Sequence, residues 1–259
     1  MRAYVGTSGW VYRSWRGRFY PADLHQGRWL EFYSRSFATV EVNATFYRLP
    51  AATMVRGWAR RTPADFRFAV KVSRLITHVR RLREIREPLE TFLETMEPLG
   101  AKLGPLLVQL PPGLTADERL LDEALAAFPR EHPVAVEFRH ESWFAPAIRE
   151  VLERHQAALC IADRDEELVA PLWRTAPWSY VRFHVGQGEP APGYRPETLE
   201  RRAEQLLKLC EEGDELYAYF NNDPFACAVR DAARFAAALA ARGVPVSRTP
   251  TVDDVHAPQ

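Results

Sequence analysis

Residues able to carry acid–base or electrostatic chemistry recur in this chain near the ends of short apolar runs. In Phe66–Ser73, Lys71 stands late and opposite Phe68, Val70 and Val72. Glu41 and Asn43 stand against Val40 and Val42, and Glu137 and Arg139 against Val136 and Phe138. Arg182 and His184 stand against Val181 and Phe183, and Asn221 shares a face with Tyr217 and Tyr219. Gln109 and Asp163 close two further runs. Alternate side chains of a strand share a face, so each run offers an apolar face to a core and a polar group to the other side. A buried charge is costly unless paired. Glu41 with Lys71 alone can be a structural ion pair; a whole ring of polar groups points to a site.

These residue types suggest particular roles. Lys71, Arg139 and Arg182 suit the anionic group of a small molecule, since cations and the planar guanidinium fork match phosphate and carboxylate. Glu41 and Glu137 are acid–base candidates, as in carboxylate pairs that flank a glycosidic bond. Lys71 is a third catalytic candidate, by Schiff-base chemistry if burial lowers its pKa, or as an ion-paired lysine that orients a ligand. Asn43, Gln109, Asp163, His184 and Asn221 would orient the ligand. Glu137, Asp163 and His184 also form a candidate divalent-metal set, which Arg139 and Arg182 would crowd with like charge; no other cofactor is expected.

The loop after the first run, Gly6-Thr7-Ser8-Gly9-Trp10, is either a tight turn or a place where backbone N–H groups approach an anion. Trp10 and Tyr12, with Trp15, Phe19 and Tyr20, read as a wall for a ring-shaped ligand or as core beneath a long loop. His78 precedes Arg80, Arg81, Arg83 and Arg86, a cluster that is either a solvated surface or a contact for a nucleic-acid backbone.

Eight runs would hold these groups: Ala3–Gly6, Ala38–Asn43, Phe66–Ser73, Leu106–Leu110, Val134–Arg139, Ala158–Asp163, Ser179–His184 and Leu216–Asn221. Helical patterns lie between most of them, the alternation that builds parallel sheets. Eight parallel strands fit a closed TIM-type (β/α)8 barrel, in which polar groups at the strand C-termini usually serve a site. Helix signals include a Thr115–Glu118 capping box, an Asp223 cap before Pro224, Pro196 opening the helix toward Cys210, and Gly243 ending the last helix. Arg164–Trp173 is too short and broken for a helix. The expected division is one barrel domain over residues 1–243 and a loose tail over 244–259.

The chain has 259 residues and a formal net charge of zero, so the whole-molecule field draws it to neither nucleic acid nor membrane. Lysine occurs only at Lys71, Lys102 and Lys208; the arginine bias reflects codon composition or phosphate recognition. Cys160, Cys210 and Cys227 are odd in number and lack metal-type spacing. The start runs into a strand without a signal-peptide pattern, and no long apolar span occurs. A cytoplasmic protein is expected, with no membrane partner and no oligomeric state implied.

Several stretches together resemble the "domain of unknown function 72" family, also called YecE-like. They are Gly6–Tyr12, Gly17–Pro21, Thr39–Tyr47, Thr77-His78, Gln109–Pro112, Glu137–Trp143 and Tyr219–Asp223. The resemblance reaches roughly to the last helix and implies a TIM-type barrel. It carries no activity and no catalytic residue. The leading expectation is an enzyme acting on a phosphate- or carboxylate-bearing small molecule by hydrolysis or another acid–base reaction. The alternatives are a nucleic-acid-binding or phosphodiester-cleaving protein, and a non-catalytic small-molecule sensor.

Overall fold

The computed structural model describes residues 1–255. Its inner wall is a ring of parallel strands: β1 (Arg2–Thr7), β2 (Thr39–Val42), β3 (Arg67–Lys71), β4 (Leu103–Gln109), β5 (Val134–Glu137) and β6 (Ala158–Arg164). After β7 (Glu167–Leu168), a short antiparallel ribbon on β6, β8 (Trp178–Phe183) and β9 (Glu215–Phe220) complete the ring, with β9 paired to β1. Helices α1 (Trp29–Ser36), α2 (Ala44–Tyr47), α3 (Ala52–Arg60), α4 (Arg86–Met96), α5 (Glu118–Ala126), α6 (Pro146–Arg154), α7 (Pro196–Leu209) and α8 (Cys227–Ala240) connect and follow the strands, with the short α2 at the mouth of the barrel. The fold is the expected TIM-type barrel. The link from β6 to β8 has no helix, in keeping with the broken pattern over Arg164–Trp173.

The strand parity divides the interior. Outward residues such as Val5, Val42, Phe68, Val70, Val136 and Phe183 join the helices in one large apolar cluster. Inside, large rings (Tyr4, Trp178, Tyr180, Tyr217, Tyr219) come from neighbouring strands on one side. Small side chains (Ala69, Ala135, Ala158, Cys160) face them from β3, β5 and β6. Large against small fills a narrow lumen at close-packed density.

The ring is nearly closed. Where β1 meets β2, the described residues make one parallel bridge, Ser8 to Glu41. The Tyr33 hydroxyl enters this seam. It accepts from the Thr7 N–H at 3.0 Å and donates to the Thr39 carbonyl at 3.0 Å. A side chain thus replaces a ladder bond. Gly6 permits the close approach, because a Cβ there would lie 2.5 Å from the Thr39 carbonyl oxygen.

Three local expectations are corrected. The α5 cap is Asp117, not Thr115: Asp117 is extended and accepts from the Leu120 N–H at 3.0 Å. Asp223 makes no side-chain cap; Phe225 and Ala226 turn left-handed, and α8 starts only at Cys227. The segment after Gly243 is not loose over the described residues. Ser247 donates to the Ala3 carbonyl, Ala38 donates to the Arg248 carbonyl, and Arg248 pairs with Asp65 at 2.9 Å. Its backbone finds partners at the N-terminal ends of β1 and β2. Residues 256–259 of the expected tail lie outside the described residues.

Tyr33→Phe would leave the Thr7 N–H and the Thr39 carbonyl without their bridge inside a buried seam. We expect a loss of about 1–3 kcal/mol, measured as a lower urea midpoint at unchanged m-value. A variant as stable as the wild type would show that the hydroxyl does not hold the seam.

Candidate functional site

The floor of the site is an ion triad in the lumen. Arg182 on β8 points inward and is 2% exposed. Its Nε and Nη2 donate to the two oxygens of Glu41 at 2.9 and 2.7 Å, and its Nη1 donates to Glu137 Oε2 at 2.6 Å. β2 and β5 are thus joined across the barrel by one side chain of β8. Glu41 also accepts from Ser8 Oγ and Tyr180 Oη, each at 2.7 Å. With four donors its hydrogen-bonding capacity is filled. Burial alone would raise the Glu41 pKa; the Arg182 charge and these bonds outweigh it and hold the carboxyl below its ordinary value.

Glu137 is fully buried and has one committed oxygen. Its Oε1 lies 2.6 Å from Arg139 Nη2, 3.4 Å from His184 Nε2 and 3.8 Å from Arg164 Nη2, yet no donor is aligned on it. Burial opposes the charge, but Arg182 and His184 prevail and hold the Glu137 pKa at about 2. Both carboxylates are therefore held toward the ionised form.

Above this floor opens a cavity of about 730 Å³ at the C-terminal ends of the strands. Lys71, Arg139, Arg164 and Arg182 line it, with Tyr12, Asn43, Gln109, His184 and Asn221. Lys71 Nζ sits 4.0 Å above the Phe46 ring. Burial and the Arg182 charge push its pKa down to about 8, against the pull of Glu41 and Glu137. Burial also lowers the His184 pKa, against its contact with Glu137. The Nε groups of Arg139 and Arg164 are buried without a partner.

Ten of the expected site residues are thereby brought together at one place: Glu41 and Glu137 in the floor, and Lys71, Tyr12, Asn43, Gln109, Arg139, Arg182, His184 and Asn221 around the cavity. Trp10 lies in an adjoining groove, edge-on to Trp58. His78 stands behind the wall, edge-on to Phe46 and bonded to Thr77. Trp15, Phe19 and Tyr20 are core. Asp163 is corrected. It faces outward, where its Oδ2 accepts from Arg202 Nε at 2.6 Å and its Oδ1 accepts from Tyr194 at 2.9 Å. The reason is parity: Ala158, Cys160 and Ala162 point inward on β6, so the next inward residue is Arg164. The metal set Glu137–Asp163–His184 is accordingly not assembled. Among the described residues no group of three or more His, Cys, Asp or Glu is placed to hold a metal ion.

Sequence reasoning missed Arg164, though the small-residue alternation of β6 signals it. It also missed Ser8 and Tyr180, which carried no charge to attract notice. Past β9, Asp223 has a buried Oδ1 without a partner, and burial pushes its carboxyl up to about 7. Arg81, Arg83 and Arg86 are exposed after β3, and Arg80 lies 3.6 Å from Glu84. Among the described residues no helix is long and apolar enough to cross a membrane.

The family described as "Protein of unknown function DUF72" matches residues 4–254. The chain belongs to the DUF72 family. It is 29% identical over 157 residues to the UPF0759 protein YunF of Bacillus subtilis, covering 57% of this chain and 54% of that protein. It thus spans about half the length of that curated relative. Two solved DUF72 structures share the fold. One, from Thermotoga maritima, has a TM-score of 0.79 at 30% identity, covering 91% of this chain and 98% of that one. Another, from Enterococcus faecalis, has a TM-score of 0.77 at 22% identity, covering 92% and 95%.

Arg182→Met would leave two buried carboxylates facing each other. Loss of one partner from a buried ion network costs about 3–5 kcal/mol. The pH sign follows from the shifts. In the wild type the Glu137 pKa is depressed, so its contribution is present above the ordinary carboxylate value and is lost as pH falls from about 4.5 toward about 2. In the variant both carboxylates would be raised, so stability would fall as pH rises. Urea melts should show a gap between the two proteins that widens from pH 4 to pH 8. A gap independent of pH would contradict the triad.

With only three lysines in the chain, Lys71 can be followed individually. Its acetylation rate, read by peptide mass spectrometry against pH, should show a midpoint of about 8. A midpoint near the ordinary lysine value of about 10.4 would show that burial does not tune it.

Proposed function

We propose that this DUF72 protein binds an anionic small molecule, one bearing phosphate or carboxylate, in the cavity at the strand C-termini. A single observation carries the reading. Arg182 occupies both oxygens of Glu41 and one of Glu137, while Lys71 and the buried Nε groups of Arg139 and Arg164 remain without acceptors. Unpaired buried donors are costly, and an oxyanion would satisfy several at once through charge-assisted bonds. The cavity volume lies within the range usual for small-molecule sites.

The chemistry this supports is acid–base. A general acid or base works best with a pKa near the operating pH, and Lys71 at about 8 meets that condition where Glu41 and Glu137 do not. Lys71 would transfer the proton, His184 and Asn221 would orient the reacting group, and Arg139 and Arg164 would hold the anion. The two carboxylates hold Arg182 in place.

A ligand that binds only the folded state raises stability by RT ln(1 + [L]/Kd), about 1.4 kcal/mol at ten times Kd. Phosphate or small carboxylates at millimolar concentration should raise the melting temperature, and neutral glycosides should not. Arg139→Ala should weaken the anion effect by about tenfold in apparent Kd. Stabilisation by neutral sugars alone would defeat the proposal.

A further inference from the structure

Beside the charged cavity lies a second groove of about 690 Å³, with walls of different character. Trp10, Leu30, Met54 and Trp58 line it, and Tyr12 and Asn43 belong to both spaces. The loop after β1 and the segment after β2 carry these shared residues, on either side of the seam where the ring is held by one bridge. The aromatic wall is fixed in advance. Trp10 and Trp58 meet edge-on with centroids 5.6 Å apart, and the Trp10 carbonyl accepts from Tyr20 Oη at 2.6 Å. Arg61, the one cation among the lining residues, is tied to the Gly57 and Gly27 carbonyls at 3.0 and 2.9 Å. Met54 remains 54% exposed and Val11 51% exposed beside this wall. At the junction the Asn43 Oδ1 is buried without a donor.

Size and adjacency decide what fits. An inorganic oxyanion would occupy a small part of the 730 Å³ cavity, and it offers nothing to an apolar groove that shares two walls with it. We infer that the ligand is an organic anion with a flat apolar body: the phosphate or carboxylate head takes the Lys71–Arg139–Arg164 side, and the body passes Tyr12 and Asn43 to lie against Trp10 and Met54. This inference rests on the anion-binding reading above and narrows it to a substrate class. Burial of the body removes apolar area from water, so a ring-bearing anion gains over its bare head group, while a bare ring gains little without the cations.

The test compares the affinities of inorganic phosphate, phenyl phosphate, acetate and indole-3-acetate for the full chain by calorimetry. The aryl compound of the preferred head group should bind at least about tenfold more tightly than the bare head group, and which pair shows this identifies the head as phosphate or carboxylate. Trp10→Ala should bring that advantage to within about twofold. Met54→Gln, a neutral change at an exposed position, should reduce it by about threefold. Neither substitution should alter affinity for the bare anion, which also reports that the cavity is folded. Equal affinity for bare and aryl anions would overturn the groove's role and leave the anion reading standing. An aryl advantage untouched by either substitution would place the body elsewhere and overturn the inference as well. Absence of binding by all four compounds would remove the anion reading, and this inference with it.

Discussion

One guanidinium organises the interior of this barrel. Arg182 spans the lumen and binds Glu41 through two hydrogen bonds and Glu137 through a third, with Arg139 as a second cation on Glu137. Each partner alone would be expensive to bury, and their mutual attraction compensates only because the geometry fills most of the hydrogen-bonding capacity. The planar fork makes this feasible, since a lysine in the same place could not address two carboxylates from opposite walls with fixed directions. Below the triad the lumen is apolar and packed large against small; above it the second oxygen of Glu137 draws Arg139, Arg164 and His184 inward. The triad thus forms the boundary between core and site.

That boundary also decides the chemistry available. A pair of carboxylates in a barrel mouth suggests glycoside hydrolysis, in which the two groups flank a substrate and one must carry a proton. Here the gap between them is filled by a protein side chain, and both are held toward the ionised form. The cavity above them is lined by Lys71, Arg139 and Arg164 as well as by Asp165. Burial, through desolvation, sets the Lys71 pKa more than any single neighbour does.

Acidic residues on the outer side support the site indirectly. Asp163 fastens β6 to Arg202 of α7, and Glu166 accepts from Arg195 Nε and Thr198 Oγ1, each at 2.6 Å. The helix-free connection after β6, which begins just past Arg164 at the cavity wall, is thereby tied to a long helix. Buried polar groups here replace the packing that a helix would otherwise supply.

Strand parity and the alternation of strands with helices are local properties, and the sequence alone determined the barrel, the order of its strands and the inward faces of Glu41, Lys71, Glu137, Arg182 and Asn221. The same periodicity, applied to Ala158, Cys160 and Ala162, leads to Arg164 in place of Asp163. Tertiary structure alone decided which charges meet. No local pattern encodes a distance across a lumen, so the bridging of β2 and β5 by Arg182, the Tyr33 hydroxyl in the seam and the docking of the segment after Gly243 emerge only when the ring closes. Protonation follows the same division. A residue's type fixes its ordinary pKa, but burial and partners brought from distant positions place Glu137 at about 2 and Lys71 at about 8.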